Sequence, residues 1–364
     1  MRKNTRGFVM ALVIVIVGFA ALFYLLISQG IKKKILRPIS EEGEKAVSLL
    51  SPTPTSFPFQ EMTVPYLRQR AYVSELSNLE RASENQGYTS FVTSYNSDGL
   101  KIYGLLTIPK GSFPGGLASP KSDEGGWPAI VFVHGYIPPE NYQTKVNYAS
   151  YVDYLAKNGF VVLKIDLRGH GDSEGEPAGA YYSGDYVIDT LNAYAALRSV
   201  DFVNSEKIGL WGHSMAGNIV LRSMAAEPEM PAAVIWAGAG YTYTDLAEYM
   251  IEDTSYRPPP ADSERARKRQ ELRATYGNFD PNHRFWKQVP ATNYLADVKG
   301  AIQIHHAVND NVVSINYSRN LTTLLNQTAI IHELKEYPAG GHNLSGSTFS
   351  QAMENTVIFF KKHL

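Results

Sequence analysis

Residues Ile208-Gly209-Leu210-Trp211-Gly212-His213-Ser214-Met215-Ala216-Gly217 carry the decisive reading of this chain. A short apolar run gives way to a turn of small residues with a serine at its apex, and a helical pattern follows. Such a turn, a nucleophile elbow, holds the serine in a strained backbone conformation and lifts its hydroxyl above the end of a sheet. It works only if the neighbours are small enough for strand and helix to approach. Ala216 stands where the strict G-x-S-x-G pattern has its second glycine, and Gly217 follows it.

The groups that a serine nucleophile needs occur downstream in strand-end positions. Ala301-Ile302-Gln303-Ile304-His305 reads as a buried strand, and Asp310 lies in the loop after it. Farther on, Ile331-His332-Glu333-Leu334 leads into a Pro/Gly-rich loop that holds His342. The order serine, acid, histidine is the one expected when all three hang from loops at the carboxyl ends of successive parallel strands. His342 is then the general base for Ser214, and Asp310 orients the imidazole and stabilises its cation. The apolar strand Ala129-Ile130-Val131-Phe132-Val133 ends in His134-Gly135-Tyr136, which offers the Tyr136 main-chain N–H as one oxyanion donor. Met215, opening the helix after the serine, offers the second.

Taken together, the His134-Gly135 strand end, the segment Asp166-Leu167-Arg168-Gly169-His170-Gly171-Asp172-Ser173, the elbow, and the Asp310 and His342 loops resemble the α/β-hydrolase superfamily. Within it, Ser94-Tyr95-Asn96-Ser97-Asp98-Gly99-Leu100-Lys101-Ile102-Tyr103-Gly104-Leu105-Leu106 is similar to the lead-in to the catalytic domain of the prolyl oligopeptidase (S9) family. The similarity runs from about residue 88 to the C-terminus, and acyl esterases share nearly all of these motifs. The resemblance implies a serine hydrolase that cleaves peptide or carboxylic ester bonds through an acyl-enzyme, without metal or organic cofactor. The segment before residue 88 is too short for the propeller of the larger S9 enzymes.

Periodicity gives the same architecture independently. Apolar strands are expected at Phe91 to Tyr95, Ile102 to Ile108, Ile130 to Val133, Val161 to Ile165, Ile208 to Trp211, Ala233 to Trp236, Ile302 to His305 and Ile331 to Leu334. From the third onwards they alternate with helical spacing at Val146 to Lys157, Val187 to Arg198, Met215 to Ala226 and Gln351 to Lys362. This predicts an α/β fold with a mostly parallel eight-stranded sheet covered by helices on both faces, in a domain spanning residues 66–364. The connection from Trp236 to Ile302 is far longer than a crossover needs. Residues about 241–298 therefore read as a helical cap insertion, whose rings, Tyr249 and Trp286 among them, either pack it onto the domain or line an apolar acyl pocket.

Composition narrows the field. Lys and Arg number 34 against 35 Asp and Glu, and there is no cysteine. A balanced charge gives no reason to expect a nucleic acid partner, and disulfides, thiolate metal sites and a cysteine nucleophile are excluded. His305-His306 is not read as a metal site, because consecutive strand residues face opposite sides and no further ligands lie nearby. Asp166 and Asp172 compete with Asp310 for the acid role, but they follow a strand that precedes the nucleophile. His213 reads as a packing and hydrogen-bonding residue of the elbow. A non-catalytic surface-binding protein on the same fold is the rival reading; it has no need of the triad and oxyanion elements.

At the N-terminus, Phe8 to Ile27 is an almost unbroken apolar run, preceded by Arg2, Lys3 and Arg6. About twenty such residues cross a hydrocarbon core of roughly 30 Å as a helix. The run exceeds the usual signal-peptide length, which favours an anchor over a cleaved signal at Gly18-Phe19-Ala20. Residues 31–65, Ser/Pro/Thr-rich around Ser51-Pro52-Thr53-Pro54-Thr55, read as a stalk holding an extracytoplasmic catalytic domain off the membrane. Tyr66 to Glu80 reads as a helix packed against that domain. The substrate is a small molecule or short peptide, and the sequence leaves the oligomeric state open. Deleting residues 1–30 is expected to shift the protein from the membrane pellet to the soluble fraction with its activity retained; aggregation of the truncated chain would mean that the run packs on the domain.

Overall fold

The computed structural model of the protein describes residues 56–111, 126–249 and 251–364. Nine strands hydrogen-bond into one sheet: β1 (Glu80–Glu84), β2 (Tyr88–Ser97), β3 (Leu100–Pro109), β4 (Trp127–Val133), β5 (Val161–Ile165), β6 (Val203–His213), β7 (Ala232–Trp236), β8 (Ala301–Ala307) and β9 (His332–Tyr337). Their order across the sheet is β1-β2-β3-β5-β4-β6-β7-β8-β9. The first three pair antiparallel and β3 meets β5 antiparallel. From β5 to β9 every pairing is parallel.

Strand β4 shows why the chain folds into three layers. Ala129, Val131 and Val133 belong to one apolar cluster, while the intervening Ile130 and Phe132 belong to another. An alternating side-chain direction on a fully apolar strand demands a cover on both faces. Among the described residues the α-helices are α1 (Val64–Gln69), α2 (Ala149–Lys157), α3 (Asp185–Arg198), α4 (Ala216–Ala226), α5 (Tyr243–Glu248), α6 (Glu264–Tyr276), α7 (Asn316–Leu325) and α8 (Ser347–His363). One face is covered by α1, α3, α4 and α7, through residues such as Leu67, Leu191, Ile219 and Leu321. The other is covered by α2 and α8, through Leu155, Met353 and Phe360.

Strand order reverses at β4, which lies between β5 and β6. At such a switch point the flanking connections leave on opposite faces and open a crevice at the carboxyl ends of the strands. The β4 end carries Gly135-Tyr136 and the β6 end carries His213-Ser214, so the topology brings these two segments together.

Several expectations are corrected. The sheet has nine strands rather than eight, because β1, with sequence Glu-Arg-Ala-Ser-Glu, is an edge strand almost wholly exposed and carries no apolar alternation. The helix expected over Tyr66 to Glu80 is confined to Val64–Gln69, and the chain then runs extended, with Ser74 and Ser77 bonded to Asn96 and Ser94 beside β2. Helix α7 is amphipathic and was not anticipated.

The domain expected from residue 66 already includes buried residues before it. One compact unit spans Pro58–Leu364, and Met62, Val64 and Leu67 are fully buried in it. The apolar run at 8–27 and the stalk up to residue 55 lie outside the described residues. Among the described residues no helix is long and apolar enough to cross a membrane. Met62→Ala is expected to lower the unfolding free energy by about 2–5 kcal/mol, measured by denaturant melts; a change within about 0.5 kcal/mol would show that residues 58–65 contribute nothing to the fold.

Candidate active site

Ser214 ends the strand-to-helix turn with φ 56°, a left-handed conformation that costs a non-glycine residue on the order of 1–3 kcal/mol. Neighbouring backbone holds it there. Its N–H donates to Trp236 O at 2.9 Å, and its carbonyl accepts from Gly217 N at 2.9 Å and Ala239 N at 3.2 Å. A Cβ on Gly217 would come within 2.7 Å of Gly238 Cα, so this glycine lets α4 pass the loop after β7. The departure at Ala216 is accommodated from the other side. A Cβ on Gly212 would meet Val220 Cγ2 at 2.7 Å and the Ala216 methyl at 3.1 Å, so the bare Gly212 provides the space that the Ala216 methyl fills.

The loop after β8 supplies Asp310 and the loop after β9 supplies His342. His342 Nδ1–H donates to Asp310 Oδ2 at 2.8 Å, which leaves Nε2 without a proton in the neutral ring and free to act as a base. Asp310 Oδ1 accepts the N–H groups of Val312 and Val313 at 2.8 and 3.0 Å. Oδ2 also faces His306 Nε2 at 3.2 Å, and both side chains are fully buried. Burial alone would push the Asp310 carboxyl up, but hydrogen bonds from His306 and His342 and from the Val313 amide hold it well below the usual carboxylate range. Ser214 and His342 line one cavity, and no hydrogen bond joins their side chains among the described residues. Apo geometries of this kind are commonly open.

The residues flanking this pair are tied to each other. Gly135 N–H donates to Tyr148 Oη at 3.0 Å, Tyr148 bonds His213 Nδ1 at 2.8 Å, and His213 Nε2–H donates to the His342 carbonyl at 2.9 Å. Burial holds the His213 pKa down at about 3, so the ring stays neutral and donates from Nε2 alone. His213 therefore has the hydrogen-bonding role read from sequence and fixes the base loop. The amides of Tyr136 and Met215 have no internal acceptor among the described residues, and both residues border the cavity that reaches Ser214.

Other candidates are placed elsewhere. Asp166 is buried and accepts from Tyr142 Oη, Thr144 Oγ1 and Lys164 Nζ, so it fastens the 139–147 segment to β5. Asp172 is exposed. His305 bonds Gln303 and Tyr337 on one side of β8, while His306 bonds Ser318 and the Val313 carbonyl on the other. The support that His306 gives Asp310 was missed, although its position four residues upstream of the acid was visible.

Two cavities meet at the serine. One of about 670 Å³ is lined by His342, Asn343, Phe349, Tyr148 and Tyr151. The other, about 240 Å³, is lined by Tyr136, Met215, Tyr181, Ile251, Asp253, Tyr256, Arg265 and Arg269. The segment between β7 and β8 reaches over the site. The Tyr256 and Tyr136 rings lie 5.4 Å apart, and Arg257 N–H donates to Tyr136 Oη at 3.2 Å. The two rings singled out for an acyl pocket have other duties. Trp286 is buried in a cluster with Met62, Tyr243 and Leu272, and Tyr249 packs on Tyr317. Neither borders the cavities at the serine, so their role is packing; of the insertion's rings Tyr256 borders the smaller cavity, beside Tyr136 and Tyr181.

The profile of the serine aminopeptidase S33 family matches residues 128–254, which run from β4 through the elbow into the cap. A thiohydrolase of Aspergillus aculeatus is 31% identical over 120 residues, covering 33% of this chain and 32% of that protein. A quorum-quenching protein of Acinetobacter baumannii is 27% identical over 107 residues, 29% of this chain and 34% of that protein. The matched stretch thus spans about a third of the length of these curated relatives. Among solved structures, acetyl xylan esterase 1 from Thermoanaerobacterium sp. JW/SL YS485 superposes with TM-score 0.55 at 18% identity, over 85% of this chain and 95% of that one. A puromycin-hydrolyzing peptidase of Mycobacterium tuberculosis gives TM-score 0.57 at 19% identity, over 77% of this chain and 40% of that one. The S33 match covers the elbow, and the structural neighbours share the fold of the sheet that positions it.

Proposed function

We propose that the protein is a serine hydrolase that cleaves carboxylic ester or peptide bonds through an acyl-enzyme on Ser214, with His342 as base and Asp310 as its orienting acid. The observation that carries this reading is a serine held at φ 56° in one cavity with a histidine whose Nδ1 is bonded to a buried carboxylate. In the first half-reaction Ser214 Oγ bonds to the carbonyl carbon as its proton passes to His342 Nε2. The tetrahedral oxyanion accepts the Tyr136 and Met215 amides. The bond to the leaving group then breaks, and the leaving group takes the proton from His342. Water repeats the sequence and releases the acid.

Because His342 protonates the leaving group, the leaving group occupies the 670 Å³ cavity on the histidine side. The acyl portion extends past the oxyanion amides into the 240 Å³ cavity. Ester cleavage is favoured over size-selected peptide cleavage by the extent of the structural matches. The acetyl xylan esterases are covered over 95% and 97% of their chains, whereas the dipeptidyl and acylaminoacyl peptidases are covered over 36% and 41% of theirs. Membrane anchoring through residues 8–27, with the catalytic domain outside the cytoplasm, is a second part of the proposal and rests on the apolar run.

Wild-type protein is expected to take a fluorophosphonate label at Ser214 and to hydrolyse p-nitrophenyl acyl esters. Ser214→Ala loses the label and lowers kcat by about 10⁴-fold or more; a wild-type protein that neither labels nor turns over these esters would favour the surface-binding reading. The depressed pKa of Asp310 gives a further expectation. A carboxyl held below its unfolded value, about 3.9, stabilises the fold above that pH and loses this contribution as pH falls through it towards the folded value. Denaturant melts of wild type and Asp310→Asn should therefore differ by a constant amount between about pH 6 and 8 and converge below about pH 4. A gap that widens in acid would contradict the assigned bonding of this carboxylate.

A further inference from the structure

Arg265, on the first turn of α6, is a cation without a counter-ion beside the serine. It is only partly exposed, its Nε is buried with no hydrogen-bond partner, and no carboxylate lies within ion-pair distance of it among the described residues. Its guanidinium lies against Gly179, where an added Cβ would come within 3.2 Å of Nη2. It borders the 240 Å³ cavity together with Ser214, Met215 and Tyr136. Arg269, one turn along the same helix, borders the cavity too and rests over the Tyr182 ring at 4.8 Å. Two neighbouring cations of α6 are differently disposed. Lys268 pairs with Glu264 at 2.8 Å, and Arg267 is exposed and bonds the Asp262 carbonyl.

Partly burying a guanidinium without a partner is unfavourable unless something supplies acceptors. The one acid on this wall, Asp253, has its Oδ1 occupied by the amide and hydroxyl of Ser255 at 2.8 and 2.6 Å. It also borders the larger cavity on the histidine side. The acyl end of the site thus holds two arginines against Asp253, whose Oδ1 is taken up by Ser255; on their far side the same arginines border a separate pocket with Glu176, Asp185 and Glu264, none of them within ion-pair distance of Arg265. An arginine fork matches a carboxylate in a bidentate manner, and a short dicarboxylic chain bonded to Ser214 through one end would reach along this cavity with the other.

We infer that Arg265 is a specificity-determining residue that selects acyl groups ending in a carboxylate, so that the preferred substrates are monoesters or monoamides of short dicarboxylic acids. The inference rests on the serine-hydrolase reading and on the assignment of the acyl side. The test compares kcat/KM for the mono-p-nitrophenyl ester of adipic acid with that for p-nitrophenyl hexanoate, which has the same chain length and no terminal charge, each corrected for spontaneous hydrolysis. Wild type should prefer the charged ester. Arg265→Gln should reduce the charged-to-neutral ratio by about 10- to 100-fold, carried mainly by a higher KM for the charged ester. Arg267→Gln, which removes the same charge from the exposed face of α6, should keep the ratio. A wild type that does not favour the charged ester, an unchanged ratio in Arg265→Gln, or an equal fall in Arg267→Gln overturns the inference while leaving the hydrolase intact. Absence of fluorophosphonate labelling together with absence of turnover on both esters overturns the hydrolase reading and the inference with it.

Discussion

The close approach of α4 to the loop after β7 is the constraint on which the site depends. Gly217 and Gly238 meet with no room for a side chain between them, and this lets the Ser214 backbone bond to Trp236 and Ala239 at the end of the neighbouring strand. With both its N–H and its carbonyl committed, Ser214 cannot relax from the left-handed region, and its side chain is turned out of the sheet. The same packing sets the first turn of α4 so that the Met215 amide is left without an internal acceptor. The positions of the proposed nucleophile and of the proposed oxyanion donor are thus two results of one steric condition. Gly212 opposite Ala216 is its second half: the elbow tolerates a methyl on the helix because the strand offers none.

Around this fixed point the other groups are held by buried polar bonds instead of close packing. Asp310 receives four hydrogen-bond donors, two from its own loop and two from histidines, which keeps the carboxylate charged and in place where burial alone would neutralise it. His342 is held at its ring by Asp310 and at its carbonyl by His213. Through Tyr148, His213 also reaches the Gly135 amide, so the ends of β4 and β6 and the loop after β9 form one continuous hydrogen-bonded unit. A neutral His213 suits this position, since a charged ring beside His342 would depress the basicity of the proposed base.

The segment between β7 and β8 divides into a part that packs and a part that borders the cavity at the serine. Trp286, Phe285 and Leu272 bury Met62 beneath them, anchoring the insertion to the segment that opens the domain. That packing holds α6 with Arg265 and Arg269 towards the cavity, while Tyr256 contacts Tyr136. The aromatic character of the insertion is therefore mostly structural, and towards the cavity it presents Ile251 and Tyr256 together with Asp253, Arg265 and Arg269.

The sequence by itself determined the order of the strands after residue 126, the helices that cover them apart from α5 and α7, the elbow, and the loops bearing Asp310 and His342. These are written in local signals: runs of apolar residues, small residues at a turn, and polar residues just past strand ends. It did not determine β1, whose exposed edge position removes the alternation that marks a strand, nor the start of the domain, because Pro58 to Met62 look like linker until Trp286 and Arg222 are found against them. Nor did it assign the roles of His306, Tyr148, Tyr181 or Arg265, or separate Tyr256 from the insertion's other rings. Whether a histidine holds a carboxylate, a ring lines a cavity or an arginine lacks a counter-ion depends on groups far away in the chain. Only the folded packing decides those contacts.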